Sequence, residues 1–298
     1  MSFAADLKLE LSKIRQDSCC DFAELFSMLI FSKKFNIKSM VVSSSHECVC
    51  NTFSRLLFNC FSAKPVVTFG GSDNKRYYNA SIISEKLKKS ILFKIGENHK
   101  EFAIDLLKRD CCSSAFLRGI FLICGSISNP NKDYHLEFVV KDSETADFLV
   151  SILSNYGVTP KLSYRKNSVA VYFKNSDQIE ELITRMGASQ YTLELIGIKV
   201  YKSMRNKYNR INNCENANLT KTVNAAVDQK NAIEFLEKSG KLSMLPTEIY
   251  NVAMLRKDNP DASLSSLCSL SEENISRSGM NHRLQKLVKI ANALKEDL

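Results

Sequence analysis

An internal repeat constrains the fold of this chain more than any other feature of its sequence. Two apolar segments each open with adjacent cysteines, CCDFAELFSMLIFSK from Cys19 and CCSSAFLRGIFLICG from Cys111, and they match at four positions at an offset of 92 residues. Further along the chain the offset becomes 95, so that Phe53 pairs with Phe148. Two copies of one unit predict a pseudo-twofold domain, which suits a ligand with its own twofold character, such as duplex DNA.

Each copy predicts the same order of elements. An initial helix and the cysteine-initiated helix are followed by a strand, an amphipathic helix, a hairpin and a closing helix. In the second copy Ser176 is expected to cap the closing helix. The strand, the hairpin and this helix are expected at residues 134–140, 160–173 and 176–186. The fold class is therefore α+β: one pseudo-twofold domain over residues 1–198, with repeats of about 1–96 and 97–198.

The charge balance favours a polyanionic partner. The chain has 41 Lys and Arg against 32 Asp and Glu, a formal net charge of +9. Such a balance is typical of nucleic-acid-binding proteins, but a merely basic surface would produce it too, so charge alone leaves both interpretations open. Hydrophobic residues make up 44% of the chain, which indicates a globular protein rather than a disordered one.

The ten cysteines are interpreted as small core residues of a protein in a reducing compartment. None belongs to a C-x-x-C pair, and Cys48 and Cys50 form a C-x-C without a nearby partner set. A zinc ribbon is therefore not expected, and we predict no bound metal. The sequence also lacks a G-x-G-x-x-G or Walker loop, so no cofactor is expected.

Neither a membrane span nor a signal peptide is recognisable. No stretch reaches the roughly 18 apolar residues of a membrane span, and the first residues lack the apolar core of a secretion signal. We expect a cytoplasmic, nucleoid-associated protein with no membrane partner.

The character of the sequence changes after Ile198. Residues 199–221 hold six basic residues and one acid, many Asn and little periodicity, and are interpreted as a basic linker. A helix is expected over residues 221–238, and the whole linker region covers residues 199–244.

The last unit, residues 245–298, predicts three short helices in a helix-turn-helix arrangement. Pro246 is expected at the first helical position, ahead of a helix at 249–257. A second helix follows at 263–270, and Ser276 opens the third. The third helix carries an apolar stripe, and between Ile275 and Lys295 there are five basic residues and no acid.

The polar face of the third helix holds the side chains that groove recognition needs. Those at its start are expected to meet base edges: Arg277, Ser278, Asn281 and His282. Gln285 lies on the same polar face, and the phosphate contacts are expected from Arg283, Lys286 and Lys289. The alternative is a structural bundle with a solvated basic face.

The two cysteine-initiated helices resemble degenerate copies of the LAGLIDADG helix of homing endonucleases, as LFSMLIFSK from Leu25 and LRGIFLICG from Leu117. The resemblance implies that the helices pack against each other at the pseudo-dyad. Small residues at the third position, here Ser27 and Gly119, would permit close approach.

The catalytic position of that family is altered in both copies. Active enzymes place a metal-binding Asp next to last in the motif, whereas this chain has Ser32 and Cys124. A hydroxyl and a thiol are poor Mg²⁺ ligands, so the departure implies a nuclease-like scaffold without its catalytic centre. The nearest acids are off-register and are interpreted as surface or capping groups: Asp21, Glu24, Asp133 and Glu137.

Nearly the whole chain is similar to the WhiA family of bacterial regulators. Three segments carry the resemblance: CCSSAFLRGIFLICGSISNP followed by YHLEF, MRNKYNRINNCENANLTKTVNAAVDQ, and NPDASLSSLCSLSEENISRSGMNHRLQKL. The resemblance implies sequence-specific DNA binding and a role in transcription, cell division, chromosome segregation or sporulation. Four residues of the second segment are candidates for phosphate contacts or for locking the domains together: Arg205, Asn206, Arg210 and Lys221.

The expected partner is double-stranded DNA, and neither catalysis nor a small-molecule substrate is expected. Two alternatives stay open. In the first, the nuclease-like domain binds a protein such as RNA polymerase, another transcription factor or a division factor. In the second, the chain is a divergent metal-dependent DNA endonuclease.

Overall fold

The computed structural model describes residues 2–71, 76–96 and 98–296. These residues divide into two compact units, Met1–Lys202 and Ser203–Leu298.

The first unit contains the two predicted repeats. The first repeat consists of α1 (Phe3–Ser12), α2 (Ser18–Ile30), β1 (Lys34–Phe35), β2 (Met40–Ser44), α3 (Glu47–Phe61), β3 (Val66–Gly70), β4 (Tyr77–Ile82) and α4 (Glu85–Ile95). The second consists of α5 (His99–Leu107), α6 (Asp110–Cys124), β5 (Gly125–Ile127), β6 (Leu136–Val140), α7 (Ser143–Ser154), β7 (Lys161–Arg165), β8 (Ser168–Phe173) and α8 (Ser176–Met186). The order of elements is the same in both, which confirms the α+β repeat.

Each repeat forms one antiparallel four-stranded sheet, ordered β1-β2-β4-β3 in the first and β5-β6-β8-β7 in the second. The sequence pattern missed β1 and β5, because strands of two and three residues are too short to show alternation. The cap of α8 was predicted one residue too late. The Asn175 side chain accepts hydrogen bonds from the amides of Asp177 (2.7 Å) and Gln178 (3.3 Å) and is the N-cap.

The helices α2 and α6 pack together at very short range. A Cβ placed on Gly119 of α6 would lie 2.0 Å from Ser27 Oγ and 2.5 Å from the carbonyl oxygen of Glu24, both on α2. Only glycine fits at such a separation, since real Cβ atoms do not approach other heavy atoms so closely. The expected close approach at Ser27 and Gly119 is therefore confirmed.

The helix expected over residues 221–238 is confirmed, but residues 199–221, interpreted as a linker, are helical too: a single helix, α9, runs over Ser189–Lys238. No Gly or Pro interrupts residues 198–238, so nothing breaks the backbone hydrogen bonding. Apolar periodicity is missing because residues 213–225 of the helix are exposed on every side. No helix within the described ranges combines the length and apolar character needed to cross a membrane.

The second unit contains the three expected short helices, α10 (Thr247–Asp258), α11 (Leu264–Leu270) and α12 (Arg277–Glu296). Pro246 lies one position earlier than predicted. Its carbonyl accepts bonds from the amides of Ile249 (2.8 Å) and Tyr250 (3.0 Å), which makes it the N-cap of α10. The core of this unit is formed by side chains from all three helices and from the end of α9, among them Leu236, Val252, Leu267, Met280, Leu284, Leu287 and Ala291.

Candidate nucleic-acid interface

The helix α12 presents one apolar and one polar face. Ser276 Oγ accepts a hydrogen bond from the Gly279 amide at 3.2 Å and so caps the start of the helix. The apolar stripe predicted on this helix is buried at Met280, Leu284, Leu287 and Ala291. Burial of this stripe in the core of the second unit turns the opposite side of the helix towards solvent.

Six of the eight residues predicted to contact DNA are exposed on α12: Arg277, Ser278, His282, Gln285, Lys286 and Lys289. They combine guanidinium, hydroxyl, imidazole, amide and ammonium groups on a helix whose first turn has no acid. The remaining two, Asn281 and Arg283, are half-buried. The structure thus brings most of the predicted set onto one solvent-facing surface.

Arg283 has partners within its own unit. Its Nη1 donates to Glu273 Oε2, and its Nη2 lies 3.5 Å from Glu248 Oε2. The Arg283 hydrogen bond, with a second from Asn251, holds the pKa of the Glu273 carboxyl below its usual range. Arg283 therefore ties α12 to α10 and to the turn before α12, and the phosphate contact expected of it stays a prediction.

Arg256 was missed by the sequence analysis. This residue of α10 is 4% exposed, and its Nη1 donates to the carbonyls of Ala262 at 2.7 Å and Pro260 at 3.4 Å. Burial lowers the pKa of its guanidinium. Arg256 therefore fixes the loop that leads into α11. The sequence signal for a buried arginine was its place within the apolar pattern of α10.

The four candidate residues of the WhiA-like segment all lie exposed on α9: Arg205, Asn206, Arg210 and Lys221. Their phosphate contacts stay a prediction.

The degenerate metal positions of the first unit are engaged with their own helices. Ser32 is buried and donates its hydroxyl to the Leu29 carbonyl at 2.7 Å. Cys124 Sγ donates to the Ile120 carbonyl at 3.2 Å, and burial raises the pKa of this thiol to about 12. Cys124 is therefore a neutral thiol at physiological pH, which is a poor ligand for Mg²⁺.

A buried lysine also lies at this end of the helices. Lys8 of α1 is 6% exposed, and its Nζ donates to the Leu122 carbonyl at 3.0 Å. Burial lowers the pKa of the Lys8 ammonium to about 8, opposed by interactions with Cys124 and Cys48. A positive charge here repels a divalent cation. The sequence signal was a lysine beside Leu7 and three residues before Leu11, the two leucines of α1 that are buried.

Two acids interpreted as surface or capping groups are instead buried. Asp21 is 4% exposed and accepts a hydrogen bond from Asn59 Nδ2 at 2.7 Å. Glu24 is fully buried and accepts from Gln16 Nε2 at 2.8 Å and from Arg118 Nε at 3.1 Å. The interpretation was wrong because Asn59 and Arg118, which bind these carboxylates, come from distant segments of the chain.

Together the two units define a protein made of a LAGLIDADG-like repeat domain with altered metal positions and a helix-turn-helix domain. A family model described as "WhiA LAGLIDADG-like domain" matches residues 113–205, and one described as "WhiA C-terminal HTH domain" matches residues 208–291. The chain is 36% identical to a "Probable cell division protein WhiA" from Caldicellulosiruptor saccharolyticus, with 99% of this chain and 96% of that protein covered.

A protein with the same description from Clostridium botulinum is 35% identical, with both chains covered completely. Among solved structures, the crystal structure of full-length WhiA from Thermotoga maritima matches with a TM-score of 0.61 and 23% identity, covering 98% of this chain and 99% of that one. The chain belongs to the WhiA family.

Proposed function

We propose that this protein is a sequence-specific DNA-binding transcription regulator that acts in bacterial cell division, chromosome segregation or sporulation. The observation that carries the proposal is the exposed polar face of α12, which holds Arg277, Ser278, His282, Gln285, Lys286 and Lys289. The relatives described as probable cell division proteins support the biological role.

The residues divide into two groups by chemistry. Arg277, Ser278, Asn281 and His282 lie at the start of α12, where a recognition helix meets base edges. Arg283, Lys286 and Lys289 follow along the helix and supply charge for phosphates, as do Arg205, Arg210 and Lys221 on α9. Asn206 and Gln285 add amide hydrogen bonds.

The first unit, on this proposal, is a scaffold without nuclease activity. Ser32 and Cys124 hold their polar groups on their own helices, and the Lys8 ammonium adds a positive charge at the same end. Cleavage of a phosphodiester needs charge neutralisation that Mg²⁺ bound by carboxylates supplies. We infer a cytoplasmic, nucleoid-associated location from the DNA-binding role.

A protein-binding role is a second candidate, favoured by exposed apolar side chains on α9. Met204, Tyr208 and Leu219 are 67%, 63% and 63% exposed. Exposed Met and Tyr side chains are typical of protein–protein interfaces. RNA polymerase is the partner expected for a transcription regulator, and reduced retention of purified polymerase by a Tyr208→Ala chain would support this role.

The test of DNA binding is selection of duplexes from a random pool by the full chain, over a salt series. We expect one enriched motif and an affinity that falls steeply with salt. His282→Ala should change the preference at one or two base positions, whereas Lys238→Ala, an exposed lysine outside α12, should leave the motif unchanged. Enrichment of no motif, or an unchanged motif with His282→Ala, would count against recognition by α12.

A further inference from the structure

Four cysteines from the two repeats come together at the start of α2 and α6. Cys19 and Cys20 lie in the first turn of α2, and Cys111 and Cys112 lie in the first turn of α6. Their four Sγ atoms all lie within 4.8 Å of one another. This cysteine cluster is at the opposite end of the two helices from the degenerate metal positions, so it is separate from the nuclease-like centre.

The spacing of the sulfurs matches a tetrahedral metal site. The Sγ atoms of Cys19 and Cys20 are 3.8 Å apart, and those of Cys111 and Cys112 are 3.9 Å apart. Zinc–sulfur bonds of about 2.3 Å give a tetrahedron with edges of about 3.8 Å. The cluster is also too compact for an iron–sulfur cluster, whose several metal atoms hold their cysteines farther apart.

The cluster lies at two helix N-termini, whose dipoles stabilise negative charge. Cys20 and Cys112 are buried, and a bound metal ion would supply the positive charge that their deprotonation needs.

The cluster also has an entry path. Cys19 and Cys112 line a cavity of about 560 Å³ together with two cations, Lys94 and Arg109. The carboxylates that line the same cavity have their own partners: Asp21 accepts from Asn59, and Asp105 pairs with Lys108 at 2.6 Å. The helix N-termini have the sign that offsets the double negative charge of a zinc tetrathiolate.

The geometry points to a structural Zn²⁺ site formed by Cys19, Cys20, Cys111 and Cys112, which joins the two repeats at their pseudo-dyad. Binding replaces four S–H bonds by four Zn–S bonds and releases about four protons. The inference reverses the sequence-based interpretation of these cysteines as packing residues. It does not depend on DNA binding.

The first experiment measures metal content and spectrum. The full chain, purified under reducing conditions and supplied with Zn²⁺, should retain one equivalent per chain after gel filtration. The metal-depleted chain titrated with Co²⁺ should show the intense visible bands of tetrahedral thiolate coordination, saturating at one equivalent. Added Zn²⁺ should then remove these bands.

Matched variants locate the site. Cys19→Ser/Cys111→Ser should lose the tightly held equivalent and the cobalt bands, whereas Cys214→Ser/Cys268→Ser, which removes two cysteines outside the cluster, should keep both. Because the cluster variant could fail to fold, the cobalt spectrum of the unaltered chain decides by itself. Octahedral cobalt bands, less than about one tenth of an equivalent of zinc, or cysteines of the cluster found as disulfides in metal-supplied protein would overturn the inference.

Discussion

Arg118 of α6 binds Glu24 of α2 across the boundary between the two repeats, with Nε 3.1 Å from Oε2 and both side chains almost completely buried. Arg118 also donates to Gln16 Oε1 and, at 2.9 Å, to the Met186 carbonyl. At the 92-residue offset of the repeat, Glu24 corresponds to Phe116 and Arg118 corresponds to Phe26. This ion pair therefore has no symmetry-related counterpart and breaks the internal symmetry. Burial raises the pKa of the Glu24 carboxyl, against the opposing effect of Arg118.

Removing one partner of this pair should be more damaging than removing both. Arg118→Leu leaves a buried carboxylate without its counterion, and we expect a loss of about 3–5 kcal/mol in the free energy of unfolding. Glu24→Leu/Arg118→Leu should recover a large part of that loss. Urea denaturation measures both, and a double variant less stable than Arg118→Leu would contradict the argument.

The close contact of α2 and α6 predicts that a larger residue at position 119 destabilises the first unit. Gly119→Ala should lower the free energy of unfolding by about 1–3 kcal/mol or prevent folding, because the new methyl would overlap Ser27 Oγ and the Glu24 carbonyl. Gly197→Ala is the matched control. It lies within α9, and its Cβ would meet open space, so we expect stabilisation of up to about 1 kcal/mol. Equal effects of the two changes would show that the helices are less tightly packed.

Lys8 gives a pH-dependent prediction. Its pKa is lowered in the folded state to about 8, so folding at a lower pH must bury the charged ammonium, which lowers the free energy of unfolding. This loss of stability becomes smaller as the pH rises above 8 and the amine loses its proton in the folded state. Lys8→Met should therefore be more stable than the unaltered chain by about 1–3 kcal/mol at pH 7. The difference should narrow above pH 8, by up to about 1.4 kcal/mol per pH unit.

Chemical denaturation at several pH values between 7 and 9.5 measures this difference. Lys13→Met, a change at an exposed lysine at the end of the same helix, serves as the control and should show a small difference that is independent of pH. A difference for Lys8→Met that widens with pH would contradict burial of a charged amine.

Two basic residues of α12 should behave differently on mutation. Lys286→Ala should leave stability within about 0.5 kcal/mol and reduce the slope of log K against log salt for duplex binding by about 1. Arg283→Ala removes contacts to Glu273 and Glu248 and should therefore lower stability more than Lys286→Ala does. Salt titrations by fluorescence anisotropy test the phosphate contact predicted for Arg283 separately from its effect on stability. A slope that Arg283→Ala leaves unchanged would show that Arg283 acts only within its own unit.

Local signals account for most of what the sequence predicted well. The hairpin at β7 and β8, the helix α8, the breaks between α10, α11 and α12 and the cap of α12 depend on residues a few positions apart. Their capping, turn and apolar-stripe patterns are therefore readable along the chain. The part of α9 before residue 221 was missed for the opposite reason, since an exposed helix needs no apolar stripe and its Asn-rich sequence resembles a loop.

By itself the sequence determined the doubled α+β unit, the helix-turn-helix and the residues on the polar face of α12, because repetition and periodicity are properties of the chain. Only the tertiary structure decided which distant side chains meet. It paired Glu24 with Arg118, placed Lys8 beside Cys124, and brought Cys19 and Cys20 to Cys111 and Cys112. Ligand geometry and buried charge depend on separations in space, and residues 92 positions apart have no fixed separation until α2 and α6 pack.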